Sequence, residues 1–298
     1  MRITKEQEQI LDGFVCQRLS ADPRNQQLIR QFTCRRNPML AAYLKCRGWE
    51  EDISGAATFY VIKDKQDRVL FYFSLKCGAL FEPLDIDKLW ARVNTHQKIL
   101  ESIRKYRRRK ATEEEMAEVQ QKMVEYSMSM GLLELTLRSE MEEMRSKIHD
   151  FKQDQQQESN PMISRVVKTY PAVELVQFCG NDGNRQYWNN LKHKYGFPPD
   201  STLGQILFWK FVAPILSGIH KTLGCQYVYL FAADDSLDNR LVNYYEVALN
   251  FKQDTGLGTS KPRYDFTCPF MCQSIEDLRK FRCYYFDHFN KSPEDIYA

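Results

Sequence analysis

Between residues 85 and 160 the chain contains a single glycine, Gly131, and no proline until Pro161. A stretch that long without turn residues cannot be a set of short strands, and its composition is that of helices. From Met116 apolar residues recur at Val119, Met123, Tyr126, Met130, Leu133 and Leu137, alternating steps of three and four. After one extra step of four they resume at Met141, Met144, Ile148 and Phe151. This is a coiled-coil repeat with one stutter. Upstream, Ile86, Leu89, Val93, Leu100 and Ile103 fit the same repeat, with His96 in an apolar slot. Thr112 and Glu115 have the spacing of a capping box, so one helix ends in the cation-rich RKYRRRK and the next starts at Thr112. The block reads as a helical hairpin, with a further break near Gly131. Its seam is narrow, so the helices pair with each other or, as a homodimer through 86–158, with a second copy.

The flanking segments have a different period. Residues 1–84 open with a helix expected around EQEQILDGFVCQRL, followed by FTCRRNPMLAAYLKC, where Pro38 suits the first turn of another helix. ATFYVIKD and RVLFYFSLK are β-branched and aromatic runs around a polar turn, which predicts a β-hairpin. Residues 161–298 contain buried-strand patterns in AVELVQFC and CQYVYLFA. Helices are expected in LGQILFWKFVAPILSGIHKTLG and NRLVNYYEVALNF. RYDFTCPFMCQSI is read as the last strand, with Pro269 at an edge or bulge. Strands alternating with helices indicate an α/β fold with a mixed sheet, in three blocks: 1–84, an inserted helical hairpin at 85–160, and 161–298.

Composition narrows the function classes. The formal net charge of +3 gives no global field for nucleic-acid binding. The cysteine count, nine, is odd and no Cys-x-x-Cys pair occurs, so the expectation is reduced thiols and no metal site. The opening MRITKEQEQILDGF has no apolar core of a signal peptide, and no segment is read as membrane-spanning. The chain is therefore expected in the cytoplasm, without a membrane role.

The order of elements resembles the GNAT superfamily of acyl-CoA-dependent N-acetyltransferases. A hairpin, GAATFYVIKDKQDRVLFYFSLKCG, precedes a central strand, VELVQF; a helix opened by a Gly-containing turn follows, then a strand, then a helix bearing tyrosine. The opening FTCRRNPMLAAYL, with a hairpin ending in FYFSL, is similar to the toxin-type branch. The resemblance implies acetyl-CoA as co-substrate, with no metal, and an amine-bearing acceptor of unknown identity. It implies that Gln177, Phe178 and Cys179 border the pantetheine arm. It also implies that the turn Ser201, Thr202, Leu203, Gly204 and Gln205 presents amides to the diphosphate. Tyr245 or Tyr244 would protonate the leaving thiolate, and Glu174 would serve as base. The family turn has two glycines, or glycine and alanine; here only Gly204 remains, and Asp200 stands beside it. The family tyrosine precedes its phenylalanine by five positions, whereas Tyr245 precedes Phe251 by six, which leaves the register open between the two tyrosines.

Each feature has a plainer account. Paired helical aromatics are commonly core, DSTLGQIL is an ordinary capped helix start, a strand glutamate often faces water, and RKYRRRK is a solvated helix end beside the acidic EEEMAE. Three readings stand: transfer of acetyl from acetyl-CoA to a primary amine by direct attack, a binding or scaffold protein using its coiled coil, and a toxin-type acetyltransferase acting on aminoacyl-tRNA, for which RNA would be the partner.

Overall fold

The computed structural model describes residues 3–83, 85–157, 166–234, 236–253, 255–259 and 268–286. They belong to two compact units, one formed by Met1–Phe81 with Thr169–Ala298, the other by Glu82–Lys168. The joint expected at 160 and 161 lies outside the described residues, as does the RYDFT segment.

The larger unit is built on six strands lying side by side in chain order: β1 (Val15–Arg18), β2 (Thr58–Lys63), β3 (Val69–Pro83), β4 (Val166–Gly180), β5 (Tyr227–Phe231) and β6 (Phe270–Ser274). β1–β2, β2–β3 and β5–β6 pair antiparallel, and β4–β5 pair parallel. β3 passes β4 in the opposite sense, with Leu70 beside Asn181 and Ser74 beside Gln177. The result is a mixed α/β sheet with one parallel pair in its second half.

The hairpin β2–β3 forms where the sequence places it, because Asp64 Oδ1 accepts from the amides of Gln66 (2.9 Å) and Arg68 (3.0 Å) and so closes the turn. The expected first helix is shorter than its sequence pattern. α1 (Lys5–Leu11) stops before Gly13, and Val15–Arg18 becomes the edge strand β1 instead of a continuation of the helix. Four residues ending in Gln and Arg carry too weak an alternation to show this; the pairing with β2 decides it. Three short helices follow: α2 (Asn25–Leu28), α3 (Pro38–Tyr43) and α4 (Trp49–Ser54), the last two joined by a π-helical turn. Asn37 caps α3 and Pro38 occupies its first turn.

The crossover from β4 to β5 runs through α8 (Arg185–Lys194), α9 (Leu203–Leu207) and α10 (Ala213–Leu223), with a π-helical turn between the last two. By length and apolar content alone, Leu203–Leu223 is long enough to cross a bilayer, with a hydropathy of 1.2. Its apolar character has a core use: Ile206, Leu207, Phe208, Val212 and Leu216 are buried against Val173, Leu175, Val228 and Leu230 of the sheet. α11 (Arg240–Leu249) and α12 (Ile275–Tyr285) complete that layer. The opposite face carries α2–α4 over Phe59, Val61 and Tyr72. β6 is an edge strand, as Pro269 suggests.

The smaller unit is the expected helical block with its further break, three helices in all: α5 (Ile86–Arg107), α6 (Glu113–Tyr126) and α7 (Met130–Gln157). The capping box of Thr112 and Glu115 is present. The extra break falls at Ser127, whose φ is 52°, four residues before Gly131. The heptads run through that break because the left-handed residue turns the chain while the apolar spacing continues on both sides. Leu89, Val93, Met141, Met144 and Ile148 close one end of the seam, and Ile99, Ile103, Val119, Leu133 and Leu137 the other. The side chain of Phe151 lies outside the described residues. His96 is buried in the seam, and Glu140 Oε2 takes both its Nε2 (2.8 Å) and the Tyr126 hydroxyl (3.1 Å).

One buried carboxylate ties β1, α4 and β2 together. Asp52 is fully buried, pairs with Arg18 Nε at 3.0 Å, and accepts from the amides of Ser20 (2.8 Å) and Phe59 (2.9 Å). Asp52→Ala leaves two amides without their acceptor and is expected to cost roughly 2–4 kcal/mol. Urea unfolding reads this directly; a loss below about 0.5 kcal/mol would show that water replaces the carboxylate.

Candidate functional site

The parallel pair fixes the site. β4 and β5 are in register at Ala172 with Tyr227, Val173 with Val228, and Glu174 with Tyr229, and the register ends there. Beyond Glu174 the two strands part, and Leu230 and Phe231 pair only with β6. Peptide groups of β4 after Glu174 thus face an opening in the sheet at the carboxyl ends of two parallel strands, where α/β folds place their ligands.

β4 also changes face within this opening. Val173, Leu175 and Phe178 pack with the layer of α8–α11, while Ala172 and Cys179 pack on the opposite side. Moving from 175 to 178 on one face requires an extra residue, so β4 is bulged around Val176–Gln177. Gln177 is buried and takes the Ser74 hydroxyl. The Phe178 ring lies edge-on to Phe71 at 4.6 Å and to Phe208 at 5.9 Å. Of Gln177, Phe178 and Cys179, therefore, the side chains serve packing, and the backbone is what remains for a ligand.

The turn Ser201–Gln205 is divided in the same way. Ser201 is buried and donates to Pro198 O at 2.6 Å, so Thr202 caps the helix and accepts from Gln205 N at 3.1 Å. Gln205 Nε2 donates to Ala248 O on α11. Leu203 packs on the core, and its amide and that of Gly204 open the helix.

α11 brings its tyrosines to different places. Tyr245 is buried beside Phe251, with ring centroids 6.2 Å apart, and belongs to the core. Tyr244 turns to the helix start instead: the Thr202 hydroxyl donates to its oxygen at 3.3 Å. A β-carbon at Gly204 would stand 2.8 Å from that oxygen, 3.3 Å from the Phe178 ring and 3.5 Å from Phe71. The phenol, the β4 bulge and the start of α9 thus meet at one point, and Gly204 is required by contact rather than by φ. Of the two tyrosines, Tyr244 has its hydroxyl at the start of α9, and Asn250 at φ 62° ends α11 in a left-handed residue. Burial pushes the Tyr244 phenol above its ordinary 10, with the Thr202 hydrogen bond and the Arg36 guanidinium pulling the other way. Such a phenol keeps its proton at neutral pH. Arg36, in the loop before α3, was not singled out by the sequence; only the neighbouring Asn-Pro cap hinted at an ordered loop there.

Glu174 lies at the fork itself, on the face opposite Phe178. Its Oε2 takes the Tyr229 hydroxyl at 3.4 Å. Desolvation raises its carboxyl above the ordinary 4.5, opposed by Lys76 and by Tyr229. Four residues of extended chain separate it from Phe178, about 13 Å, so it reaches chemistry at Phe178 only through a relay. Among the described residues no group of three or more His, Cys, Asp or Glu is placed to hold a metal ion.

No family model matches the chain, and no curated protein does. Among solved structures it is similar to a tyrosine-to-phenylalanine mutant of KacT (TM-score 0.45, 10% identity, 90% of this chain and 99% of that one). It is similar also to a bacterial toxin (TM-score 0.45, 13%, 90% and 94%) and to AtaT complexed with acetyl-methionyl-tRNAfMet (TM-score 0.41, 10%, 90% and 98%). At this distance the likenesses say nothing of this chain's chemistry.

Two outcomes follow. Gly204→Ala is expected to destabilise the fold by about 1–3 kcal/mol through overpacking, and by about 1 kcal/mol less when Tyr244 is already Phe, a coupling read by a double-mutant cycle. Additive effects would mean that the hydroxyl moves aside freely. Second, a carboxyl raised on folding favours the native state below its unfolded value and loses that contribution as pH rises through the folded value. Glu174→Gln should therefore raise the melting temperature more at pH 8 than at pH 4; an equal change at both would contradict the desolvation of Glu174.

Proposed function

We propose that this chain transfers an acetyl group from acetyl-CoA to a primary amine by direct attack, with Tyr244 as the acid. The observation that carries the reading is the meeting of three parts at one point: the parting of β4 from β5 after Glu174, the start of α9 at Gly204, and a protonated phenol from α11. An open strand edge suits an amide-bearing arm, since its peptide groups need partners. A helix start with free amides suits phosphate. The fit is good along the strand and sparse at the turn, where Gly204 is the one glycine and the Tyr244 oxygen sits close over it.

When bound, acetyl-CoA supplies the thioester that the amine attacks. The chain's own residues then have separate tasks. Backbone amides around the β4 bulge orient the carbonyl and stabilise charge on its oxygen. Tyr244 gives its hydroxyl proton to the departing sulfur, for which a phenol kept neutral by burial is suited. Glu174, desolvated at the fork, accepts the amine's proton through an ordered relay. The acceptor approaches from the face that carries Lys76, Glu174 and Tyr229, because the other face is filled by α8–α11. A cytoplasmic setting belongs to the proposal, since all nine thiols are free.

A binding module without turnover is the second reading, favoured by the single glycine at the turn. Turnover of acetyl-CoA against a panel of amines separates the two. Tyr244→Phe is expected to lower turnover roughly 10²-fold with acetyl-CoA affinity nearly unchanged, and Tyr245→Phe to leave turnover within a few-fold. Equal losses from both would make the tyrosines packing residues only, and no thermal shift at millimolar acetyl-CoA would remove the enzyme reading.

A further inference from the structure

At the far end of β4, beside this site, two cysteines on different elements face each other. Cys179 is the buried residue that follows Phe178, and it packs in the apolar cluster under α2–α4. Cys34 lies in the loop between Phe32 and Asn37, partly exposed, and packs on the same cluster. Burial raises the Cys179 thiol above its ordinary 9, and the nearby Cys34 sulfur adds to the rise. The two cysteines are held near each other by backbone on both sides. Thr33 N donates to Asn181 Oδ1 at 3.1 Å, Asp182 N to Thr33 O at 2.8 Å, and Arg35 N to Asp182 Oδ2 at 2.6 Å. Asn37 N donates to the Cys34 sulfur at 3.4 Å and fixes its direction.

We propose that Cys34 and Cys179 are a redox pair, which peroxide closes into a disulfide across the end of β4. The two positions differ in the way such a pair needs. Cys34 is reachable from solvent, whereas Cys179 is buried and its thiol is pushed up by desolvation, so the first oxidation falls on Cys34. Hydrogen peroxide takes the Cys34 thiol to a sulfenic acid and leaves as water. The Cys179 sulfur then attacks the sulfenic sulfur; the hydroxyl departs with the Cys179 proton as a second water. Two thiols have given two electrons to one peroxide, and a sulfur–sulfur bond remains. Three hydrogen bonds join the loop to the residues just past the strand end and so keep the two cysteines in one neighbourhood.

The bond would fix the loop that carries Arg36 to the residue next to Phe178. If the acetyl-transfer reading holds, oxidation then acts on the site through Phe178 and Arg36; the cross-link itself does not depend on that reading.

The test treats the full-length protein with equimolar hydrogen peroxide and maps its peptides without reduction. The expected result is a peptide joining Cys34 to Cys179, a mass lower by about 2 Da, and loss of two of nine titratable thiols, all restored by dithiothreitol. Cys34→Ser should abolish the link, and Cys46→Ser, at an exposed cysteine elsewhere on the same layer, should leave it intact. Cys34 found only as sulfinic acid, or joined to another cysteine while Cys179 remains alkylatable after unfolding, would overturn the proposal. A link that forms without any change in acetyl-CoA turnover would retain the pair and contradict its action on the site.

Discussion

Everything at the candidate site depends on two parallel strands that stop pairing. β4 and β5 share three residue pairs and then part after Glu174 and Tyr229. Strand edges inside a protein are costly to leave open, so the separation must be held by packing on both sides. One side is held by Phe178, wedged between Phe71 and Phe208, and the other by β6, which continues the pairing of β5 to Phe231. The bulge in β4 lets one strand serve both tasks: it anchors Phe178 in one layer and Cys179 in the other, and it leaves the peptide groups between them turned to the gap.

The chemistry proposed for the gap needs an acid that stays protonated until the thiolate forms. A phenol, raised further by burial at Tyr244, would meet that need, and its place over Gly204 explains why a side chain at that turn would collide with it. The fork places Glu174 some distance from Phe178 along the strand. In the proposed reaction acid and base would approach the carbonyl from opposite faces of β4, which would keep proton donation to sulfur apart from proton removal from the amine.

Much of the fold was legible in the sequence, for definite reasons. The hairpin showed because ATFYVIKD and RVLFYFSLK are β-branched and aromatic runs around a polar turn, and α9–α11 because their apolar residues cover a sheet from one side. The capping box at Thr112 marked a helix start correctly. β1 stayed hidden because four residues with partial burial carry no period, and α8 because Trp188 and Leu191 are its only two buried side chains. The third helix of the smaller unit was expected from a break near Gly131, and the break falls four residues earlier at Ser127, a residue that gives no sign of adopting a left-handed conformation. At the site, sequence spacing brought Gly204, Thr202 and the tyrosine pair to one neighbourhood. It could not show which tyrosine hydroxyl meets Thr202 at the helix start, nor find Arg36 and Cys34, which reach this neighbourhood from more than a hundred residues away.

The most direct test of the acetyl-transfer account is amide hydrogen exchange of the full-length protein with and without saturating acetyl-CoA. The account predicts slowed exchange in two places, the stretch of β4 from Leu175 to Cys179 that has parted from β5 and the amides of Leu203 and Gly204 at the helix start, with the strand pairs at Ala172–Glu174 unchanged. Exchange that is the same with and without acetyl-CoA, or slowed only elsewhere, would contradict it.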